Sequence, residues 1–588
     1  MLAHVSKGLL HMTDGYLTDW PISERFPHYT RANAGEVMGD PVSPLGWTYG
    51  WDGAMVLGMR DGWIRGGTHE LSDFDPVHPE TFGMFGGYFY LNLSSCRLQG
   101  VRNPGVTVEQ LDMAFFGAHP DVPAYVAHPD DEKPHLVEKI SANTAWVMSA
   151  DTWPEIDEDK AAAAALRNAR GDLTTYTDAD LLQRVRAIRP MLHHLFEQHV
   201  MSGSSAAVAP GVLAVVGDGI GDPTIPMKLL AGLGDVDSAL PSHALWAMSR
   251  TIRNDVALTA AFDAGVDGVL DRLASISSGA ALLAEWASFI DEFGSRGPNE
   301  WDINAESWET DPTMPLAAVD RVRFQTDDES PHLRNDAVAA QRVAVTADVR
   351  SKVVGNDELS GMLEAALIAA NMMAYRERTK TTIVKVIHEA RMTFRELGRR
   401  HAETGALVDA NHVFMLLNSE LDEFVRSPVA FREVLTRRAT EHAALADIEP
   451  PFIIRDGKLP ALKDWPRRAE VEAKPAAGVG AQISGISGSP GVVRGTAKIV
   501  LDSCDPTALD PGDILVAPHT DPSWTPLFMT AGAVVVDVGG QISHAVIVCR
   551  ELGLPCIVSA TAATQTIPHG ATIEVNGDTG VVTVLELG

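Results

Sequence analysis

Cysteine is scarce. The 588-residue chain holds four, Cys96, Cys504, Cys549 and Cys556, with no Cys-x-x-Cys pair and no regular spacing. That pattern argues against a disulfide framework or a zinc ribbon and fits a reducing, cytoplasmic setting. Basic charge is also short: 47 Lys and Arg against 78 Asp and Glu leave a formal net charge of −31. Such a surface is repelled by nucleic acid phosphates and by anionic lipid. The densest basic run, Arg391–Arg400 (RMTFRELGRR), is diluted with an acidic and several apolar residues. Neither nucleic acid nor membrane is therefore an expected partner. The longest apolar run, SSAAVAPGVLAVVGDGIG, is interrupted by Pro210 and Gly211 and is expected to be too short to cross a bilayer. The N-terminus, MLAHVSKGLLHMTDGYLTDW, lacks a signal-peptide core. A GxxxxGK[ST] phosphate loop is missing too, as are the repeated strand–helix units of a barrel.

What is present divides the chain in two. Asp464–Gln482 (DWPRRAEVEAKPAAGVGAQ) mixes Pro, Ala, Gly and charge with no lasting period and reads as a linker or hinge. Residues 483–588 carry short β-rich runs, GVVRGTAKIVL, GDILVAP, AGAVVVDV and PCIVSA, and end in a hairpin signal around Asn576-Gly577-Asp578. One strong helix pattern lies between AGAVVVDV and PCIVSA, which predicts strand–helix–strand. Upstream, residues 1–463 are mainly helical from about Asp157, with long amphipathic stretches. The first 150 residues are richer in Gly, Trp and Pro and include the strand-like GGYFYLNL. The expected architecture is multidomain α+β: a large, mainly helical region of one or two lobes, followed by a small α/β module.

The chemistry concentrates in Asp537–Val558, DVGGQISHAVIVCRELGLPCIV. Gly539 and Gly540 follow a β-branched strand, Ser543 is a good N-cap, and His544 opens an almost wholly apolar helix. Gly553 and Pro555 end it. A helix start offers unpaired N–H groups and a positive dipole end, which suit phosphate. An imidazole there is placed to accept a phosphoryl group as a covalent nucleophile.

These residues resemble the phosphohistidine swivelling domain of phosphoenolpyruvate synthases, pyruvate phosphate dikinases and their relatives. Gly539, Gly540, Ser543, His544, Arg550, Glu551, Leu552, Gly553 and Pro555 stand in register with that pattern, as do SGISGSPGVVRGTAKIV (Ser484–Val500) and LVAPHTDPSWTPLF (Leu515–Phe528). The resemblance implies that His544 is phosphorylated during turnover. Further upstream, Tyr29–Trp47, Phe293–Pro312 and Glu396–Leu416 resemble the acceptor domain of rifampin phosphotransferases and phenylphosphate-synthase-type enzymes. One departure is that Gly294-Ser295-Arg296-Gly297 stands where related chains often read Gly-His-Arg-Gly, so any work done by that histidine falls to another residue.

Relatives that act as one polypeptide begin with an ATP-grasp domain. This chain is expected to receive its phosphoryl group from a separate ATP-grasp subunit that binds ATP and Mg²⁺, with no cofactor bound here. The implied activity is a two-component dikinase acting on a small aromatic hydroxyl compound. The alternatives are an antibiotic (rifamycin-like) phosphotransferase subunit and a phosphoenolpyruvate-utilising phosphocarrier. Arg31, Arg296 and Arg376 are the candidate phosphate clamps, since the arginine fork matches phosphate oxygens. Glu300, Glu36 and Glu377 are candidate bases or hydroxyl-orienting groups, and Arg550 and Glu551 read as supports of the histidine helix. The aromatic stretch GWTYGWDGAMVLGMRDGW is a candidate wall for an apolar acceptor pocket.

Overall fold

The computed structural model describes residues 15–116, 121–234, 236–470, 474–501, 509–540 and 543–588. The upstream region is built on helices. Val56–Gly66 (α1) packs on the long helix Asp178–Ala206 (α2), and α2 packs in turn on Met372–Glu403 (α4). Pro331–Lys352 (α3) faces the C-terminal module. A Thr177–Asp180 capping box starts α2 by satisfying two orphan amides reciprocally. Within the helical stretch 359–403, one helix ends at Ala369 and the next starts at Met372. Helix α4 is also not amphipathic in the expected way: Glu377, Lys380, His388, Glu389 and Arg391 are all buried along it. Charge is carried inward here, where it must be paired or hydrogen-bonded.

A small antiparallel sheet ties the ends of this region together. Its order is β2-β3-β1-β4, from Phe82–Phe85, Tyr88–Asn92, Tyr29–Thr30 and Ile453–Ile454. Because β1 pairs with both β3 and β4, the chain just before the linker is bound to the N-terminal segment. Within GGYFYLNL, Tyr88–Asn92 is the expected strand, preceded by a turn at Gly86-Gly87.

The apolar run at Pro210 departs from expectation. Proline falls in the first turn of the helix Val208–Ile220, where its missing N–H leaves nothing unpaired. The helical stretch Asp178–Ile220 is consequently long and apolar enough, by length and composition, to cross a membrane, but half of its most apolar window is buried within the protein. Val208–Ile220 packs on Asp357–Ala369 and Ile225–Leu229, which accounts for that composition as core.

The C-terminal module holds eight strands: Gln482–Ser484 (β5), Ile486–Ser489 (β6), Val492–Ile499 (β7), Ile514–Ala517 (β8), Ala533–Val536 (β9), Cys556–Val558 (β10), Thr572–Asn576 (β11) and Val581–Glu586 (β12). Their order is β5-β12-β11-β7-β8-β9-β10-β6. The β7-β8-β9-β10 pairs are parallel and the remainder antiparallel. Only Gly485 separates β5 from β6 in sequence, so the first and last strands of the ladder are adjacent and the sheet wraps round a core of Ile514, Val516, Val535, Ile557, Ile573, Val575 and Val584. Helix His544–Leu552 (α5) connects β9 to β10 and covers the other face through Val546, Val548 and Cys549. Parallel strands buried on both faces require such continuous apolar runs. The three described cysteines are unpaired and buried.

The hinge expected over 464–482 is anchored at both ends. Trp465 packs beside Tyr88, its ring centroid 6.3 Å away, and Arg468 Nε donates to Ile448 O at 3.2 Å. On the other side, Ala477 N donates to Thr566 O (2.7 Å) and Gly480 N to Val584 O (2.8 Å). Between these anchors, Lys474, Pro475 and Ala476 are exposed.

Candidate active site

His544 is positioned by side chains of its own module. Ser543 caps α5 in extended backbone geometry (φ −69°, ψ 162°), and its N–H donates to Gly540 O at 3.0 Å. Gly539 is closely packed: a Cβ there would lie 3.2 Å from both Ser543 Oγ and Val558 Cβ. The glycine pair thus makes the tight turn that delivers the imidazole to the helix start. There Nδ1 lies 3.3 Å from Thr520 Oγ1 and Nε2 lies 3.4 Å from Thr525 Oγ1. The Phe528 ring stands edge-on at 5.7 Å. Among the described residues the buried Ser543 hydroxyl has no hydrogen-bond partner, so it takes the N-cap position without a side-chain capping bond.

The charges facing His544 come from the upstream region. Burial first, then the positive charges of Lys380, Arg296 and Arg376, hold its pKa well below the usual imidazole range. The ring is therefore neutral at physiological pH, with a free lone pair. A phosphoryl group on it would instead be attracted by the same three cations.

Arg296 Nη1 bonds Glu300 Oε1 at 3.1 Å and Nη2 bonds Thr381 Oγ1 at 2.6 Å, joining the 294–302 loop to α4. That loop is further fixed by Arg391, which donates to Glu300 O (2.8 Å) and Asp302 O (3.0 Å), and by Asp302, which accepts from Ser43 N and Oγ at 2.7 and 2.6 Å. Arg376 pairs with buried Glu377 at 2.5 Å. Burial raises the Glu300 carboxyl against the opposing pull of Arg296 and Lys380.

Of the sequence-predicted residues, then, His544, Arg296, Glu300, Arg376 and Glu377 gather at one place, with Ser543, Gly539 and Gly540 shaping it. Arg31 and Arg550 do not join them. Arg31 spends its fork on the carbonyls of Phe89 (3.0 Å), Met38 (3.2 Å) and Gly39 (3.0 Å), with its guanidinium over the Tyr88 ring at 4.9 Å. Arg550 Nε donates to Gly488 O at 2.8 Å, the helix support expected of it. The Glu36 side chain lies outside the described residues.

Three residues at the site were missed by the sequence. Lys380 lies one helical turn beyond Arg376 on α4, is buried, and acts on His544, Glu300 and Asp521. Asp521, in the module's own loop, is raised by burial and accepts from Ser523 N at 2.8 Å. His199 on α2 bonds Thr379 Oγ1 at 3.0 Å through Nδ1. Burial, with Arg376 and Lys380 nearby, drops its pKa to about 3. It places a neutral imidazole beside Arg376 and Lys380.

The aromatic stretch is core. Trp51 packs against Phe82, Phe89, Phe196 and Trp301 at 4.3–5.8 Å, and all five rings are buried. Trp301 reaches the site only through His199, at 5.9 Å between ring centroids. Among the described residues no group of three or more His, Cys, Asp or Glu side chains is arranged to hold a metal ion.

Comparison with known proteins places names on both parts. Residues 196–377 match the rifampicin phosphotransferase fourth domain and residues 509–580 match the mobile domain of PEP-utilising enzymes. Over 97% of its length the chain is 28% identical to the uncharacterized protein Rv2047c of Mycobacterium tuberculosis, covering 63% of that protein. It is 30% identical over 55% of its length to a rifampicin phosphotransferase of Streptomyces sviceus, and 30% identical over 51% to the prodigiosin synthesizing transferase PigC of Serratia marcescens. It spans 37% and 33% of those two proteins, so it covers less than two thirds of each of the three relatives. Residues 196–377 are thus similar to a rifampicin phosphotransferase fourth domain, and residues 509–580, which bear His544, to the mobile domain of PEP-utilising enzymes.

Proposed function

We propose that this chain is the phosphohistidine-carrying subunit of a two-component, ATP-dependent dikinase that phosphorylates the hydroxyl of a small aromatic compound. A separate ATP-grasp subunit binds ATP and Mg²⁺ and cleaves ATP to AMP and phosphate, leaving His544 phosphorylated. The module then swings on the linker to the site described above. There the N–P bond of phosphohistidine breaks, a P–O bond to the acceptor hydroxyl forms, and the hydroxyl proton leaves to a carboxylate. Arg296, Arg376 and Lys380 stabilise charge on the equatorial oxygens. Glu300 takes the proton, and Glu377 fixes the Arg376 fork. Arg550 supports the histidine helix through its bond to Gly488 O.

The observation that carries this reading is the burial of His544 against three cations that belong to a different part of the chain. A histidine serving only its own fold has no use for that field. A rifamycin-like acceptor is a second reading, favoured by the rifampicin phosphotransferase match over residues 196–377, a span that includes His199, Arg296, Glu300 and Arg376.

The test mixes the chain with an ATP-grasp partner, ATP labelled at the β-phosphoryl, and panels of phenols and rifamycins. Acid-labile label on the protein that chases to an acceptor is expected, and the acceptor that takes it decides between the two readings. His544→Ala is expected to lose both labelling and transfer. Transfer that persists in this variant removes His544 from the reaction.

A further inference from the structure

We propose that Glu551 is the latch that holds the histidine module against the helical region and aims His544 at the acceptor site. This rests on the reading of His544 as a carrier. Glu551 sits in the last turn of α5, seven residues after His544, so the two are about 10 Å apart along the helix axis. Its neighbour Arg550 bonds inward to Gly488 O. Glu551 points the other way and leaves its module altogether. One carboxylate oxygen accepts from Leu233 N at 3.0 Å; the other accepts from Gly234 N at 3.1 Å and from Asn335 Nδ2 at 3.0 Å. Asn335 Nδ2 also reaches the Glu551 carbonyl at 3.2 Å. The side chain expected to support the histidine helix from within is therefore spent on three donors of the opposite region.

The surroundings fit a docking face. Ile547, one turn earlier on α5, is buried among Leu229, Leu230 and Val236 of the helical region. At Gly553 an added Cβ would lie 2.9 Å from Val338 on α3, so the helix end lies flush against its neighbour. Glu551 itself is 2% exposed. A buried carboxylate accepting three N–H donors is well satisfied while the module is docked. Once the module leaves, water replaces those donors. A polar latch is thus strong in place yet leaves no apolar surface of its own exposed in transit. Fixing both ends of α5, His544 at one and Glu551 at the other, fixes the helix axis and with it the direction of the imidazole.

The experiment compares the full chain with Glu551→Ala, Glu551→Gln and Asn335→Ala. Backbone hydrogen exchange is measured over the 229–234 segment, and both half-reactions are followed with the ATP-grasp partner. Glu551→Ala is expected to speed exchange at Leu233 and Gly234 at least tenfold and to slow acceptor-side transfer at least tenfold, with His544 phosphorylation by the partner unchanged. Glu551→Gln, which keeps an acceptor oxygen, is expected to recover part of both effects. Asn335→Ala is expected to weaken docking without altering the module, and to add little to Glu551→Ala. Unchanged exchange in Glu551→Ala, or equal loss of both half-reactions, overturns the latch. Faster exchange in a chain whose wild type never takes label at His544 supports the latch and defeats the carrier reading instead.

Discussion

Arg296 and Glu300 meet at 3.1 Å where neither side chain reaches solvent. Breaking a buried pair leaves the surviving charge uncompensated, at a cost of about 3–5 kcal/mol. Arg296→Ala is therefore expected to lower the midpoint of chemical denaturation and to abolish transfer together. Glu300→Gln keeps the shape and the hydrogen bond, so it is expected to fold normally while transfer falls by roughly 10²–10⁴-fold if Glu300 takes the acceptor proton. A Glu300→Gln enzyme of normal rate assigns that proton elsewhere, with Asp521 the next carboxylate to test.

Lys380 gives a sharper separation. Its ammonium acts on His544 from across the module boundary, so Lys380→Met is expected to leave phosphorylation of His544 by the partner intact. Transfer onward to the acceptor is expected to slow by about 10²–10³-fold, the range for removal of one preorganised charge. Single-turnover chase of labelled protein measures the two steps separately.

Arg31 is expected to behave as a structural residue. Its fork satisfies three carbonyls of the 38–39 and 89 segments. Arg31→Ala leaves those acceptors buried and unpaired, and is expected to destabilise the fold by several kcal/mol. The kcat of whatever protein remains folded is expected to change little, as thermal unfolding and an active-site titration together can establish.

Acid is expected to weaken the fold through its buried imidazoles. Burial lowers His69 to about 3 and His388 to about 4, while the unfolded chain titrates near 6.5. The folded values lie below the unfolded one, so the unfolded state binds protons first. Stability is complete above about 6.5 and falls as pH drops from there towards 4, by up to ~1.4 kcal/mol per pH unit for each group. His544 acts in the same direction. Asp537, pushed up to about 6, opposes the trend between its unfolded value and 6. A melting temperature lower at pH 5.5 than at pH 7.5 is the expected result, and His388→Gln is expected to shallow the slope.

Much of the module was legible because its signals are local. Two glycines, an N-cap serine, an apolar helix and a Gly-Pro stop are adjacent in sequence, and they give β9, α5 and β10 where expected. The Asn576-Gly577-Asp578 turn likewise predicts the β11–β12 pairing. The acceptor side was legible only where a motif carried it, as at Arg296 and Glu300. Lys380 and His199 sit within long helices, where a lone charge or imidazole looks like a solvated face. Only the packing of α2 on α4 turns them inward. Arg31 and Arg296 are the same residue type in equally recognisable segments, and which carbonyls or carboxylates consume a guanidinium is decided by tertiary contacts. Glu551 shows the same limit: its position on α5 is local information, but its partners lie more than two hundred residues away.

Gly485 has a consequence for the journey the module is proposed to make. By linking β5 directly to β6 it brings together the two margins at which a β-sheet ordinarily begins and ends. A freestanding sheet offers unpaired amides there, which recruit strands from neighbouring molecules. Here those margins are strands of only three and four residues joined through one glycine, a short template, so the carrier can leave its dock repeatedly with little invitation to self-association.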